Sequence, residues 1–428
     1  MQSENSKLKN FRKKYQKFIY NNYSYRILHS NLEVFFDFKV EPDIKFKPKI
    51  VIKNVSKSSL KRVGESAFEN LVFHLGLVEI PSYWKATCSP IIEIRAGYVN
   101  REQISFWKDL LMKGMGQFFY ENKIDFTAPD FLTIKSEVRQ LNSEKLNETR
   151  PFRVSLKNKV LVPVGGGKDS VVTLEQLKKR GEKIGLFLVN PKRAAQDIAR
   201  MSGIKDPIIV RRKIDPALLE LNKKGFLNGH TPFTALLSFY SCFAAVLFGY
   251  KNIAFANEKS ADEGNLRYLG TKINHQWSKS SEFERKFRKY LKNYLVKNIN
   301  YFSFLRKYTE LEIAKMFTKY PQYFSVFSSC NRAEKWCGSC PKCLFIYAVL
   351  YPYLGSKTLL KIFGKNVFNN KKLFSTMKSL IGQGSHKPFE CVGTFAENKK
   401  AFELCLEKAK REGRFPYLLE CYNEIRRT

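Results

Sequence analysis

A chain of 428 residues with 44% hydrophobic side chains is long enough for two or three domains with real cores, which excludes a disordered polymer. No run of about 18 uninterrupted apolar residues occurs, and the basic stretch Met1 to Arg26 has no apolar core behind it, so neither a membrane span nor a secretory signal is expected. The formal charge of +36 suits either a nucleic-acid surface or the steering of small anionic substrates; because Lys enrichment runs through the whole chain with Asn, Ile, Phe and Tyr, solvated lysine plus anionic substrates is the preferred reading over nucleic acid.

Met1 to Arg26 carries no clear periodicity. Val34–Val40, Ile44–Lys47 and Ile50–Ile52 alternate or run apolar around Pro42 and Pro48, which predicts strands of a meander. Apolar residues at helical spacing predict helices over Glu65–Leu77 and Arg101–Asn122. Residues 1–155 thus form an expected N-terminal α+β domain. Between the two helices lies Pro81 to Pro90, a loop with Tyr83, Trp84 and Lys85; it suits a ligand contact, and packing of Tyr83 and Trp84 into the core is an equal alternative.

From Lys159 to Ala256 strands and helices alternate. Strands are expected at Val160–Val164, Ile184–Val189, Ile208–Arg211 and Ile253–Ala256, with helices near Asp169–Lys179, Ala194–Met201, Pro216–Leu221 and Thr234–Leu247. Such alternation predicts a doubly wound α/β domain, residues 156–345, with a parallel sheet covered on both faces. Ligands in these sheets lie beyond the carboxyl ends of the strands. There the first strand breaks into Gly165-Gly166-Gly167-Lys168-Asp169-Ser170, a side-chain-poor turn whose backbone N–H groups, Ser170 hydroxyl and following helix start can hold phosphate. Neither Gly-x-x-x-x-Gly-Lys-[Ser/Thr] nor Gly-x-Gly-x-x-Gly fits this run.

Asn228 to Pro232 precedes a long apolar helix that His230 or Thr231 could cap. After the fourth strand come Asn257 to Asn265 and Asn274 to Ser280. Carboxylates there, Glu258 among them, could hold Mg²⁺, while His275 and Lys279 could handle protons or phosphate; a surface or capping role is the alternative for His275. Ser281 to Phe317 is basic and aromatic at helical spacing, a pattern of a solvated face over an aromatic core or of an RNA-facing helix. Cys330, Cys337, Cys340 and Cys343 then fall within fourteen positions, a spacing that can surround one structural Zn²⁺, with reduced thiols as the alternative. Nine cysteines with four so clustered fit a reducing cytoplasm. The remainder, residues 346–428, reads as a helical tail holding one polar loop, Ser385 to Thr394.

The glycine loop resembles the Ser-Gly-Gly-x-Asp-Ser loop of the PP-loop ATP pyrophosphatases, with Gly165 in place of the first serine. Together with Gly229–Pro232, Asn274–Ser280, Cys337–Cys343, Lys387–Gly393 and Ser82–Lys85, it makes most of the chain resemble the ATP-dependent UDP-N-acetylmuramoyl-L-alanyl-L-glutamate epimerase family of peptidoglycan synthesis. That resemblance implies a PP-loop fold of the adenine nucleotide alpha hydrolase type, the cofactors ATP and Mg²⁺, and a UDP-sugar dipeptide substrate. It also implies a chemistry in which adenylation of a carboxylate acidifies the neighbouring α-proton. Gly165 to Ser170 with His230 and Thr231 are then expected at the nucleotide, and Asp169, Glu258, His275 and Lys279 at the chemistry, with His275, Glu258 or a cysteine moving protons. Tyr83, Trp84, Lys85, Lys387 and Glu390 are expected at the substrate. The alternative is another PP-loop enzyme acting on nucleosides or tRNA, a thiolase, a ligase or a 7-cyano-7-deazaguanine synthase.

Overall fold

The computed structural model describes residues 6–136 and 151–427. Period-two alternation builds the first strands. β1 (Lys17–Leu28) and β2 (Asn31–Val40) form a long antiparallel hairpin in which every second β2 residue is buried. β3 (Ile44–Phe46) and β4 (Lys49–Ile52) pair antiparallel with β2, while β5 (Ile91–Ile94) pairs with β1, and β6 (Thr133–Ser136) with β5, both in parallel. The apolar runs further along become β7 (Lys157–Pro163), β8 (Ile184–Val189), β9 (Ile208–Lys213) and β10 (Tyr250–Phe255), which are mutually parallel. β11 (Leu266–Tyr268) and β12 (Thr271–Ile273) make a separate hairpin, and β13 (Asn300–Ser303) pairs in parallel with β10.

All but that hairpin lie in one sheet, in the order β13-β10-β7-β8-β9-β4-β2-β1-β5-β6 with β3 on β2. The result is a mixed α/β protein with a mostly parallel central sheet. The seam is antiparallel: β4 pairs with β9 from Lys49 opposite Lys213 to Ile52 opposite Val210. The expected division at residues 155 and 156 therefore falls within a chain whose two sides share a sheet. The division at 345 and 346 falls inside the helix Pro341–Leu350.

Two apolar layers cover the sheet. On one face Leu161, Phe187 and Ile253 pack with the helices Glu65–Trp84 and Phe233–Phe248, both apolar nearly all round and so buried. On the other, Val160, Val162 and Leu186 pack with Lys168–Lys179, Glu310–Phe317 and the C-terminal helices Pro341–Leu350 and Phe395–Glu412. No helix among the described residues is long and apolar enough to cross a membrane.

Three expectations change. The lead segment forms the helix Ser6–Lys14 and β1, whose alternation is hidden by a register shift between Tyr20 and Asn22. The helix expected at Arg101–Asn122 breaks at Met115, between Gly114 and Gly116, where a Cβ would stand 2.9 Å from Pro232 and 3.1 Å from Ile273. Ser281–Phe317 is not one helical face: a helix to Tyr290 runs into a π-helical turn at Leu291–Leu295 and then into β13.

A buried ion pair crosses the seam. Arg212 of β9 donates from Nε and Nη2 to Glu79 of the helix Glu65–Trp84 at 2.7 and 2.6 Å, and from Nη2 to Ser82 at 2.8 Å. Tyr240 donates to the same carboxylate. Glu79→Leu strands the guanidinium, so chemical denaturation of that variant is expected to show a loss of about 3–5 kcal/mol; an unchanged midpoint would remove the pair from the account of the seam.

Candidate functional site

β7 ends at Pro163 and the chain turns through three glycines into the helix Lys168–Lys179. Gly166 has φ +97°, and a Cβ there would stand 3.0 Å from the Ala195 backbone nitrogen, so both conformation and space require glycine. A Cβ on Gly165 would meet nothing within 4 Å, which leaves that side of the loop open. The Gly165 N–H donates to the Ser170 hydroxyl at 3.1 Å, holding the turn. Gly167 occupies the N-cap and contributes no side-chain cap, so the first N–H groups and the positive dipole end of the helix are available to an anion.

Lys168 is buried and points into the protein. Its ammonium donates to Asp169 and to Glu310, both at 2.5 Å. One cation between two carboxylates cannot satisfy both equally. Burial works against the Asp169 anion, yet Lys168, Lys342 and Lys279 outweigh it and hold its pKa below the usual carboxylate range. Burial pushes Glu310 up to about 7; Lys168 opposes that rise and the nearby anions Asp169 and Glu258 add to it. Glu258, just beyond β10, is itself buried. Beyond the carboxyl ends of β7 and β10, Lys168, Asp169 and Glu258 thus come together with Glu310, on the side of a parallel sheet where ligands lie.

Lys279 extends this group. Its ammonium donates to the Cys391 sulfur at 3.2 Å, and although burial opposes its charge, Cys391, Glu258 and Asp169 hold its pKa above the ordinary value. Lys342, at the start of the helix Pro341–Leu350, donates its ammonium to the Cys391 carbonyl and its backbone N–H to Glu390 at 2.9 Å. His275 sits beside them. Its Nδ1 lies 2.5 Å from the Gln117 amide oxygen, and burial, with help from Lys279, pulls its pKa down to about 4, so the ring is neutral near pH 7. The ring of His230 packs 4.5 Å from that of His275. Burial, then His275 and Lys85, pull His230 down to about 3, and its Nε2 is buried without a hydrogen-bond partner. Lys85 donates to the Gly229 carbonyl at 2.9 Å, and burial followed by Arg212 lowers it to about 8.

Several expectations on individual residues need correction. Tyr83 and Trp84 are wholly buried: they close the last turn of the helix Glu65–Trp84, Tyr83 packs against Phe38 and Phe46, and the Trp84 indole donates to the Ser89 carbonyl. They are core residues and not substrate contacts; Lys85, next in the chain, reaches the Gly229 carbonyl and acts on His230. Lys387 is also fully buried, its ammonium spent on Glu263 at 3.1 Å and the Gly393 carbonyl at 3.0 Å, so it is a strut of its loop. Glu390 is half-buried at the end of that strut. Neither His230 nor Thr231 caps the helix Phe233–Phe248, whose N-cap is Pro232 with no side-chain bond. Glu310, Lys342, Gln117 and Arg306 were not anticipated. Arg306 bonds the carbonyls of Glu258 and Lys279 at 2.7 and 2.5 Å, fixing both turns. Glu310 hides behind an ordinary capping box, Thr309 with Glu312, and Lys342 among the cysteines.

The four cysteines converge, with all sulfurs within 4.8 Å of one another. Cys330 to Cys340 is 4.0 Å and Cys337 to Cys343 is 3.6 Å. Four thiolates about 2.3 Å from a tetrahedral Zn²⁺ lie about 3.8 Å apart, so the set fits that ion with no open position. The cluster touches the glycine loop, because Ser328 donates its N–H to the Gly166 carbonyl at 2.9 Å.

Comparison with known proteins decides the family. A family model described as the MurL N-terminal domain matches residues 9–304, and one described as the MurL C-terminal domain matches residues 326–425. The chain belongs to the MurL family. MurL relatives named UDP-N-acetyl-alpha-D-muramoyl-L-alanyl-L-glutamate epimerase include one from Xanthomonas oryzae pv. oryzae, 33% identical over 78% of this chain and 74% of its own length. Another, from Salinispora tropica, is 34% identical over 77% of this chain and 71% of its own. A third, from a Micromonospora, is 36% identical over 69% and 66%. As a member of MurL, this chain is an enzyme of the isomerase class. Metal analysis of the purified chain is expected to find about one zinc ion, and Cys340→Ser to lose it with a lowered melting temperature; wild-type protein free of metal at full stability would show the thiols to be structural alone.

Proposed function

We propose that this protein converts the terminal L-Glu of UDP-N-acetylmuramoyl-L-Ala-L-Glu to D-Glu, spending ATP through an acyl-adenylate, in peptidoglycan synthesis. One observation carries the reading. Asp169, Glu258, Lys279 and His275, from three separate stretches, lie close to one another beyond the carboxyl ends of a parallel sheet, beside a glycine loop with unspent backbone donors. This arrangement supports the PP-loop, doubly wound reading of the fold, and the names of the MurL relatives support the substrate.

An α-proton next to a carboxylate is very weakly acidic, because its removal piles negative charge on a group already negative. ATP supplies the remedy, an adenylyl group on the α-carboxylate that cancels the local charge and lets the carbanion delocalise as an enolate. The residues then divide the work. The N–H groups from Gly165 to Ser170 and the helix start receive phosphate oxygens. Asp169 and Glu258, neighbours beyond the strand ends, are the carboxylates suited to Mg²⁺. Lys279 and Lys342 offset charge that collects on the transferred phosphate. Lys85, which needs little energy to lose its proton, and the neutral pair His230 and His275 are successive neighbours that lead to Lys279. With Nδ1–H given to Gln117, His275 keeps the Nε2 lone pair for a proton. Once the configuration has changed, water attacks the acyl carbon and AMP leaves.

Incubation with ATP, Mg²⁺ and UDP-N-acetylmuramoyl-L-Ala-L-Glu is expected to give AMP, diphosphate and D-Glu in the recovered peptide, with both products lost in Asp169→Ala. Detection of neither product from a folded wild-type chain that binds ATP would overturn the substrate assignment.

A further inference from the structure

Epimerisation needs two proton-transfer groups, one for each face of the α-carbon. An imidazole at His275 accounts for one. Cys391 is a second group there with a transferable proton, and it stands apart from the cysteine cluster and from the lysine and imidazole groups around His275. Of the nine cysteines, Cys330, Cys337, Cys340 and Cys343 form the cluster, Cys88, Cys242 and Cys405 are buried elsewhere in the core, and Cys421 lies on the last helix. Cys391 is half-buried, and its sulfur is 3.2 Å from the Lys279 ammonium.

The chain invests heavily in placing that sulfur. The Cys391 carbonyl accepts from the Lys342 ammonium, and Glu390 accepts from the Lys342 N–H at 2.9 Å. On the other side Asn265 donates to the carbonyl of Pro388 at 2.8 Å and accepts from the His275 N–H at 2.8 Å, so one side chain sets the Cys391 loop and the His275 turn relative to each other. Lys279, which touches Cys391, also sets the field at His275 and Asp169. Soft, polarisable sulfur 3.2 Å from an ammonium is placed for proton exchange at carbon, with a counter-ion in contact throughout the transfer.

We propose that Cys391 is the proton-transfer group for the second face of the glutamate α-carbon, with Lys279 as its counter-ion. The inference rests on the epimerase reading above. In the L-to-D direction a base takes the α-proton from one face, and the C–H electron pair passes into the activated carbonyl to give the enolate. The Cys391 S–H bond then breaks as its proton goes to the opposite face of that carbon and the carbonyl re-forms. The thiolate left beside Lys279 recovers a proton from solvent, and the base returns its proton to solvent. In the reverse direction the thiolate takes the proton.

The test is Cys391→Ser with ATP, Mg²⁺ and UDP-N-acetylmuramoyl-L-Ala-L-Glu in D₂O, followed by AMP release, glutamate chirality and α-deuterium content. Serine preserves the polar contact with Lys279, and continued AMP release reports that the variant is folded and still activates substrate. The expected result is D-Glu formation lowered by about 10²–10⁴-fold, AMP release retained, and α-deuterium appearing in recovered L-Glu, because the first-face base still exchanges its proton. D-Glu formation at the wild-type rate would overturn the proposal, and so would AMP and D-Glu falling together, which marks a structural role. A wild-type control that yields no D-Glu would fell the epimerase reading itself, and this proposal with it.

Discussion

A charged ammonium inside a protein must be paired, and the pairing of Lys168 organises much of what surrounds it. One of its carboxylates, Asp169, is the next residue; the other, Glu310, lies 142 positions further on. To supply Glu310, the helix Glu310–Phe317 docks against the helix Lys168–Lys179. The Glu310 N–H donates to Glu397 at 2.9 Å, and Glu397 also accepts from the Thr394 N–H at 2.8 Å. Thr394 caps the helix Phe395–Glu412, and the loop from Lys387 to Gly393 leads directly into it. The glycine loop and Cys391 are therefore joined by a run of charge-assisted bonds, although they are over 200 residues apart in sequence.

The parallel half of the fold was legible because each of its elements is short, apolar and punctuated: the boundaries expected for β8 are those found, and those of β7, β9 and the intervening helices lie within a few residues. The glycine loop and the cysteine cluster were legible for a different reason, since glycine at φ +97° and four thiols in fourteen positions have few uses. What escaped was tertiary. Nothing local in Lys49–Ile52 says that it pairs with β9, and that one pairing fuses two expected domains into a single sheet. Tyr83 and Trp84 show the same limit: an aromatic, polar-flanked stretch reads alike whether it faces ligand or core, and here the helix runs past Pro81 and buries both. Glu310 could not be singled out because its importance comes from Lys168, far away in sequence.

The large positive charge now has two parts. Most lysines lie on the surface and answer to composition. Lys168, Lys342 and Lys387 are buried, and each is held by a carboxylate or a carbonyl, while Lys279 and Lys85 adjoin His275 and His230. Cations grouped in this way attract diphosphate and carboxylate groups, the anions that ATP and a UDP-sugar dipeptide present. The two adjacent histidines, neutral through burial and their lysine neighbours, stay able to accept protons beside those cations.

The central claim is that the α-carboxyl group becomes an acyl phosphate before the α-proton moves. It is tested most directly by oxygen transfer. Substrate carrying ¹⁸O in the glutamate α-carboxylate is incubated with ATP and Mg²⁺, and the AMP produced is weighed by mass spectrometry. If the carboxylate attacks the α-phosphorus and water later opens the acyl bond, the bridging oxygen stays with phosphorus and AMP gains one ¹⁸O. D-Glu formed together with unlabelled AMP, in H₂¹⁶O and again with no solvent label entering AMP in H₂¹⁸O, would mean that epimerisation proceeds without that anhydride, and the role assigned to the residues around Lys168 would have to be abandoned.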